Sequence, residues 1–248
     1  MTTYRTSGFS AMPPVVKNLI IINVLMLLAR FSAEQVFQVP LNYKLGLFYP
    51  GSHQFEPYQI VTHMFMHGGI AHLFFNMFAL WMFGRVLENV WGGKRFFIYF
   101  FITGFGAAFL HMLVNHLHIQ SIMSQMPQEQ IDMVLAEGHN IILQQKNYTQ
   151  PLMGQLNAML NVPTVGASGA VFGILLAFGM LFPNTQLMLL FPPIPIKAKY
   201  FVIMYGALEL FLGVSQPGSN VAHFAHLGGM LFGFILLKIW NMNKRTFY

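Results

Sequence analysis

The sequence predicts an all-α membrane protein, built as a bundle of six transmembrane helices. Of its 248 residues, 55% are hydrophobic and only 8% are charged, whereas a soluble domain carries about 25% charged residues. The mean hydropathy is +0.55. The apolar residues also fall into segments that approach the roughly 20 residues needed to cross a bilayer. These observations exclude an ordinary soluble domain and a disordered protein.

The absence of cysteine excludes several kinds of chemistry. Disulfides, thiol nucleophiles, iron–sulfur clusters and thiolate zinc sites all require cysteine, and the chain has none. The net charge of +6 suggests nucleic acid as one possible partner. Membrane topology explains the basic residues better, so no nucleic-acid partner is expected.

Six apolar segments are predicted to span the membrane. The first follows a polar tail and is not followed by a small-residue cleavage site, so it is not expected to be a signal peptide. Its Arg30 lies at the distal end, where a long side chain can reach the interface. The predicted spans are 16–33, 60–84, 95–117, 166–182, 198–214 and 221–240. They form one domain over 15–240, between tails over 1–14 and 241–248.

The basic residues predict the orientation. Ten of the thirteen lie on the side that both termini share, and five of the seven acidic residues lie on the other side. Because cytoplasmic loops carry an excess of Lys and Arg, both termini are expected to be cytoplasmic. Loops 34–58 and 118–165 are then exterior, and the second is predicted to carry an amphipathic helix over Gln128 to Leu143. The absence of an organelle presequence favours a bacterial cytoplasmic membrane.

Ser168 is the one serine in the interior of a predicted span, because every other serine falls in a tail, a loop or a span end, and its neighbours are small. One interpretation is a close-packing surface, with the hydroxyl bonded to its own helix. The other is a nucleophile, which needs small neighbours so that a partner helix and a substrate can approach its oxygen. The small residues concerned are Gly166, Ala167, Gly169, Ala170 and Gly173.

The sixth span favours the nucleophile. His226 is followed by Gly229 and Gly233, a GxxxG pattern that allows close helix approach. If the fourth and sixth spans pack through their small residues, His226 comes beside Ser168. A hydroxyl next to an imidazole is the minimum for an activated nucleophile. A histidine that only packs between helices is the simpler alternative.

Histidines in the predicted second span allow two interpretations. His72 and Asn76 are four residues apart and project from one helix face. Such neutral donors suit an oxyanion hole, although they could equally form interhelical hydrogen bonds. His63 and His67 share the same spacing, which would also suit a metal.

Three patterns, in this order, resemble the rhomboid intramembrane serine proteases. They are His67-x4-His72-x3-Asn76, Gly166-x-Ser168-Gly169 and Ala225-His226-x2-Gly229-x3-Gly233. Glu88 and Arg95 also match the family pattern between the second and third spans. The resemblance covers all six spans, from about residue 15 to 240, and implies a rhomboid-like bundle.

The resemblance implies a Ser–His dyad, in which Ser168 is the nucleophile and His226 the general base. It implies that His72, Asn76 and the backbone N–H of Ser168 hold the oxyanion. Phe172 takes the place where relatives often carry a tyrosine that stacks on the catalytic histidine. In the first exterior loop, Tyr58 and Gln59 align with a Trp-Arg pair found in relatives.

The expected activity is therefore intramembrane serine endopeptidase cleavage of single-span transmembrane proteins. No cofactor and no metal are expected. An aspartyl protease is excluded because Asp132 is the only aspartate, and the H-E-x-x-H pattern is absent. Two alternatives stay open: an inactive relative that binds membrane helices, and a metal or proton carrier. The carrier would use His63, His67, His72, His223 and Glu209.

Overall fold

The computed structural model describes residues 12–188, 193–215 and 222–240, and the fold is mostly helical. Most of the predicted tail 1–14 and all of the tail 241–248 lie outside the described residues. The helices are α1 (Pro14–Phe37), α2 (Leu41–Leu45), α3 (Gln59–Thr62), α4 (Ile70–Ala79), α5 (Arg85–Trp91), α6 (Gly93–Met123), α7 (Gln128–Leu143), α8 (Pro151–Asn161), α9 (Ser168–Leu181), α10 (Ala198–Ser215) and α11 (His223–Ile239). Strands β1 (Gln186–Met188) and β2 (Pro195–Lys197) pair antiparallel.

Among the described residues, four helices are long and apolar enough to cross a membrane. They are Pro14–Phe37, Ile70–Trp91, Gly93–Met123 and Ala198–Ser215. The second of these joins α4 and α5 through a π-helical stretch at Leu80–Gly84. The predicted fourth and sixth spans are the shorter apolar helices α9 and α11, so the length criterion supports four of the six predicted spans.

The predicted second span was wrong at its start. One continuous helix from residue 60 was expected, but the chain forms α3, a 3₁₀ turn at His63–Phe65 and then non-helical backbone before α4 begins at Ile70. Gly68 and Gly69 explain the break, because glycine loses more backbone entropy than any other residue when it enters a helix. His63 and His67 therefore lie before the helix that carries His72.

The region 118–165, predicted to be an exterior loop, contains more helix than expected. The helix expected over Gln128 to Leu143 is confirmed as α7. In addition, α6 continues to Met123, and α8 was not predicted. A second apolar cluster joins α6, α7 and α8 through buried residues that include Ile119, Val134 and Leu156. This cluster explains how a polar loop forms an ordered cap.

Helix α9 lies at the centre of the fold and contacts α6, α10 and α11. Its apolar residues surround the helix on all sides, and ten of its fourteen residues are buried, which is typical of a core helix. By contrast, α10 turns exposed apolar residues such as Ile203 and Phe211 outward. The residue that opens α9, Ser168, is thus placed inside the bundle.

Gln59 anchors the loop before α4. Its side chain is 1% exposed. Its Oε1 accepts hydrogen bonds from the backbone N–H of Phe48 and of Glu56, at 3.3 Å and 3.1 Å, and its Nε2 donates to the carbonyl of Gln54 at 2.9 Å. Tyr58, beside it, is exposed. The amide of Gln59 therefore organises the loop that precedes α4.

Glu88 connects α5 to the start of α1. Its two carboxylate oxygens accept hydrogen bonds from the backbone N–H of Val15 and Val16, at 2.9 Å and 2.8 Å. These N–H groups belong to the first turn of α1, where no helical partner exists and the helix dipole favours negative charge. Glu88 is 3% exposed, which explains its place in the sequence pattern.

We expect Glu88→Gln to destabilise the fold by about 1–3 kcal/mol, because a charged acceptor is replaced by a neutral group with one acceptor oxygen. The free energy of unfolding in detergent measures the change. Glu137→Gln, at an exposed position of α7, is the matched control and should change it by less than about 0.5 kcal/mol. Equal stability of the two variants would contradict the role assigned to Glu88.

Candidate active site

Ser168 begins α9, directly after a stretch of non-helical backbone. Gly166 in that stretch has φ +126°, a conformation that side chains rarely adopt. The N–H of Gly166 donates to the carbonyl of His63 at 2.9 Å, which ties this turn to the segment before α4. The first N–H groups of a helix lack helical partners, so the backbone around Ser168 offers donors beside its hydroxyl.

Helices α9 and α11 meet through glycine, as the sequence predicted. A Cβ on Gly229 would overlap the carbonyl of Gly169, so the two backbones are in direct contact. Gly233, one turn further along, lies against the hydroxyl of Tyr99. That hydroxyl donates to the carbonyl of Gly173 at 2.9 Å. The close approach is possible only because side chains are absent from these positions.

This packing brings His226 beside Ser168. The distance from His226 Nε2 to Ser168 Oγ is 2.9 Å, within hydrogen-bond range. The ring of His226 also stacks on Phe172, with centroids 4.1 Å apart and planes 5° from parallel. His226 is 8% exposed. The imidazole is therefore held on its face by Phe172 and at its edge by Ser168.

Glu209 contacts the other edge of the same imidazole. Its Oε2 lies 2.9 Å from His226 Nδ1 and 2.7 Å from His223 Nδ1. The carboxylate is buried, at 4% exposure. The sequence analysis gave Glu209 a role only in the carrier alternative and missed this contact with His226. The sequence did contain a signal for it: Glu209, His223 and His226 are ionisable residues in neighbouring predicted spans, and such groups usually pair inside a membrane.

His72 and Asn76 lie one turn apart on α4, and the ring of His72 faces the turn before α9. A Cβ on Gly166 would lie 2.8–2.9 Å from the His72 ring, at Cε1 and Nε2, so this ring covers the backbone two residues before Ser168. His72 Nδ1 accepts a hydrogen bond from the N–H of Gly68 at 3.3 Å, so Nε2 carries the proton. Asn76 is buried and donates to the carbonyl of His72 at 3.1 Å.

The two earlier histidines are separated by the helix break. His63 Nδ1 donates to the carbonyl of Gln59 at 2.8 Å. The ring of His67 packs edge-on against His72, with centroids 5.1 Å apart. Arg30 donates to the carbonyl of His67 at 2.9 Å and pairs with Glu34. The predicted one-face spacing of His63 and His67 was therefore wrong.

The structure does not assemble the histidine set of the carrier alternative. Over the described ranges, the group of three potential ligands within 4.8 Å of one another is Glu209, His223 and His226. It shares Glu209 and His223 with that set, but its third member is the candidate base. A metal there would use an atom of the same imidazole that contacts Ser168.

A family model of the rhomboid domain matches residues 54–241, which is more than half of the chain. The chain belongs to the rhomboid family. This family includes intramembrane serine proteases, and the apolar helices of the fold agree with a multi-pass membrane protein. All the candidate residues described above lie inside the matched range.

Several rhomboid relatives are similar along most of the chain. Rhomboid protein 1, mitochondrial, of Saccharomyces cerevisiae is 24% identical over 185 residues, which cover 75% of this chain and 42% of the relative. Rhomboid protease GluP of Bacillus subtilis is 24% identical over 77% of this chain and 27% of its own length. Rhomboid-like protein 11, chloroplastic, of Arabidopsis thaliana is 26% identical over 89% and 64%. This chain spans less than two thirds of each of these relatives.

Proposed function

We propose that this rhomboid is an intramembrane serine endopeptidase that cleaves transmembrane proteins. The observation that supports it is the 2.9 Å contact between Ser168 Oγ and His226 Nε2, made by an imidazole that also stacks on Phe172. A nucleophile within hydrogen-bond reach of an oriented base is the signature of covalent acyl-transfer catalysis. A protein that only binds helices needs neither residue.

The reaction is two successive acyl transfers. Ser168 Oγ attacks the carbonyl carbon of the scissile peptide, while His226 Nε2 takes the hydroxyl proton. The imidazolium then gives this proton to the leaving amine as the C–N bond breaks. A water molecule hydrolyses the ester, again with His226 as the base, and restores the Ser168 hydroxyl.

The oxyanion of each tetrahedral intermediate needs fixed donors. His72 Nε2–H, covering Gly166, is one candidate. Asn76 is another, because its amide carries two protons and the carbonyl of His72 occupies only one of them. The backbone N–H of Ser168, at the start of α9, is the third. All three are uncharged and preorganised by helix positions, as such a site requires.

With α9 as one of the six proposed spans, its short length implies a water-filled site. Its fourteen residues extend about 21 Å, against a hydrocarbon core of about 30 Å. Its N-terminus therefore lies below one membrane surface, and the non-helical backbone before it must line a protein-enclosed cavity. The distribution of basic residues assigns that surface to the exterior. The hydrolytic water enters from that side.

The substrate is a single-span transmembrane protein that unwinds near its exterior end to enter this cavity. A bacterial cytoplasmic membrane, with both termini cytoplasmic, is the proposed location; the names of relatives also include mitochondrial and chloroplastic proteins. One competing function is a metal carrier. It is favoured by potential ligand atoms of Glu209, His223 and His226 that lie within 4.8 Å of one another. The next experiment distinguishes a metal function from serine chemistry.

We expect the purified protein to react covalently at Ser168 with a fluorophosphonate. It should also keep cleaving a transmembrane reporter in excess EDTA or phenanthroline, because no step of the proposed reaction uses a metal. Labelling should vanish in Ser168→Ala and fall strongly in His226→Ala, since the base activates the oxygen. Gel fluorescence measures the extent of labelling in each variant, and mass spectrometry of the labelled peptide identifies the modified residue.

Activity that chelators remove and zinc restores would contradict serine chemistry and favour the metal function. If a folded preparation neither labels nor cleaves any of several reporters, the chain is the inactive helix-binding relative instead. Folding is checked by retained helical circular dichroism and a cooperative unfolding transition.

A further inference from the structure

We propose that Glu209 is a positioning residue that completes a Ser168–His226–Glu209 triad. The inference rests on the proposed function, because it assigns a role in the same reaction. Only a serine–histidine pair follows from the sequence patterns. The added member comes from the contact of Glu209 Oε2 with His226 Nδ1, at 2.9 Å, on the ring edge opposite Ser168.

The position of Glu209 needs an explanation, because burying a carboxylate among apolar helices is costly without partners. Glu209 projects from α10 towards α11, where His223 and His226 lie one turn apart. The same oxygen, Oε2, faces Nδ1 of both rings, at 2.7 Å and 2.9 Å. His223 thus forms a hydrogen bond that holds the carboxylate in place, and His226 receives its second contact.

This arrangement determines which nitrogen of His226 carries the proton. An ionised carboxylate can only accept, so it favours a proton on Nδ1. In the neutral ring Nε2 is then free to accept from Ser168 Oγ. The opposite tautomer would present an N–H to the hydroxyl and could not act as a base.

The contact of Glu209 with His226 is less well aligned than its contact with His223. His223 meets the criteria of a hydrogen bond, whereas His226 Nδ1 has no aligned partner although the carboxylate oxygen is 2.9 Å away. In unliganded enzymes catalytic hydrogen bonds are often poorly aligned and tighten in the reacting complex. The expected change is a small rotation of the ring as Nε2 receives the serine proton.

During the reaction Glu209 keeps its charge. The proton of Ser168 moves to Nε2, the Nδ1 proton stays on the ring, and the carboxylate stabilises the resulting imidazolium. No proton reaches Glu209, and no bond to it forms or breaks. Its contribution is orientation and charge, acting through His226.

The short distances favour a proton between these atoms over a metal ion. Ligand atoms around a tetrahedral zinc, at about 2.0–2.1 Å from the ion, are separated from one another by about 3.4 Å. The two nitrogen-to-oxygen distances here are 2.7 Å and 2.9 Å, which are hydrogen-bond lengths. A metal on Nδ1 would also require that Nε2 carry the proton, which removes the base.

The test is Glu209→Gln, which keeps the side-chain shape and removes the charge. We expect kcat for a transmembrane reporter to fall at least about 30-fold; losing the triad acid costs about 10⁴-fold in other serine proteases. The stacking of Phe172 on His226 limits the loss. KM should change less than about two-fold, because the substrate does not contact Glu209. The rate of fluorophosphonate labelling should fall in parallel with kcat.

Glu209→Asp separates positioning from packing. Aspartate is shorter than glutamate but keeps the charge. Because the charge supports catalysis, kcat should be higher for Glu209→Asp than for Glu209→Gln. A residue needed only for its volume would give the opposite order. Glu88→Gln is the matched control: it makes the same change at another buried glutamate, and should lower stability without lowering kcat of the folded protein.

Wild-type activity separates the two proposals. If the wild type cleaves and labels, and Glu209→Gln retains full kcat, the positioning role is overturned while the serine mechanism stands. A glutamine variant that outperforms the aspartate variant overturns it as well. If the wild type neither cleaves nor labels, the proposed function fails and this inference fails with it. Zinc-dependent activity assigns the three residues to a metal instead.

Discussion

Ser168→Ala and His226→Ala should each abolish cleavage of a single-span reporter while the protein stays folded and membrane-inserted. Alanine at 168 removes the attacking oxygen, and alanine at 226 removes the base that lies 2.9 Å from it. Because the two residues act as a unit, the double variant should be no slower than either single variant. Reporter cleavage in detergent and in reconstituted vesicles measures the loss.

Two substitutions of the same kind serve as controls. Ser121→Ala on α6 and His53→Ala in the loop before α3 change exposed residues that contact neither Ser168 nor His226, and should leave turnover unchanged. Full activity of either Ser168→Ala or His226→Ala would remove the assignment of these two residues. An additive double variant would indicate that they do not act together.

The second large effect is expected at the oxyanion donors. His72→Ala and Asn76→Ala should each lower kcat by about 10²–10³-fold, the cost of removing one donor in another acyl-transfer enzyme. KM should change little, because the donors contact charge that develops only in the transition state. The losses are smaller if the remaining donors, including the backbone N–H of Ser168, share the oxyanion.

His63→Ala is the control for this pair. Its ring bonds to the carbonyl of Gln59 before α4, whereas the ring of His72 covers Gly166. Turnover per folded molecule should therefore fall much less for His63→Ala than for His72→Ala. A His63 variant as slow as the His72 variant would show that the wrong histidine has been assigned to the site.

The sequence alone determined the class of protein and the helices that matter. The shortage of charge and the long apolar segments predicted a helical membrane protein, because a bilayer requires backbone hydrogen bonds to be satisfied within each span. The positions of α1, α6, α9, α10 and α11 followed from these segments. Glycine patterns on the fourth and sixth segments also predicted the contact that brings His226 to Ser168, since small residues allow backbones to meet.

Helix ends and breaks were less predictable. The segment before α4 is apolar enough to be predicted as helix, yet Gly68 and Gly69 interrupt it. Because of this break, His63 and His67 lie outside α4. Helix α8, which hydropathy did not predict, is held by a cluster with α6 and α7. Local backbone preference decided where the helix breaks before α4, and packing against distant residues decided that α8 forms. The spacing of apolar residues predicts neither effect.

Only the tertiary structure decided the partners of the polar side chains. Glu88 reaches the start of α1, Gln59 ties the loop around itself, and Glu209 contacts His223 and His226. The pairs of Glu88 and Glu209 join different helices, and those of Gln59 depend on how its loop folds, so no spacing in the sequence encodes them. The physical reason is that a buried polar group takes whichever partner the packed helices bring within about 3 Å. The sequence showed that Glu209 is an ionisable residue within a predicted span. The packing of α10 on α11 determined that its carboxylate contacts the imidazole of His226.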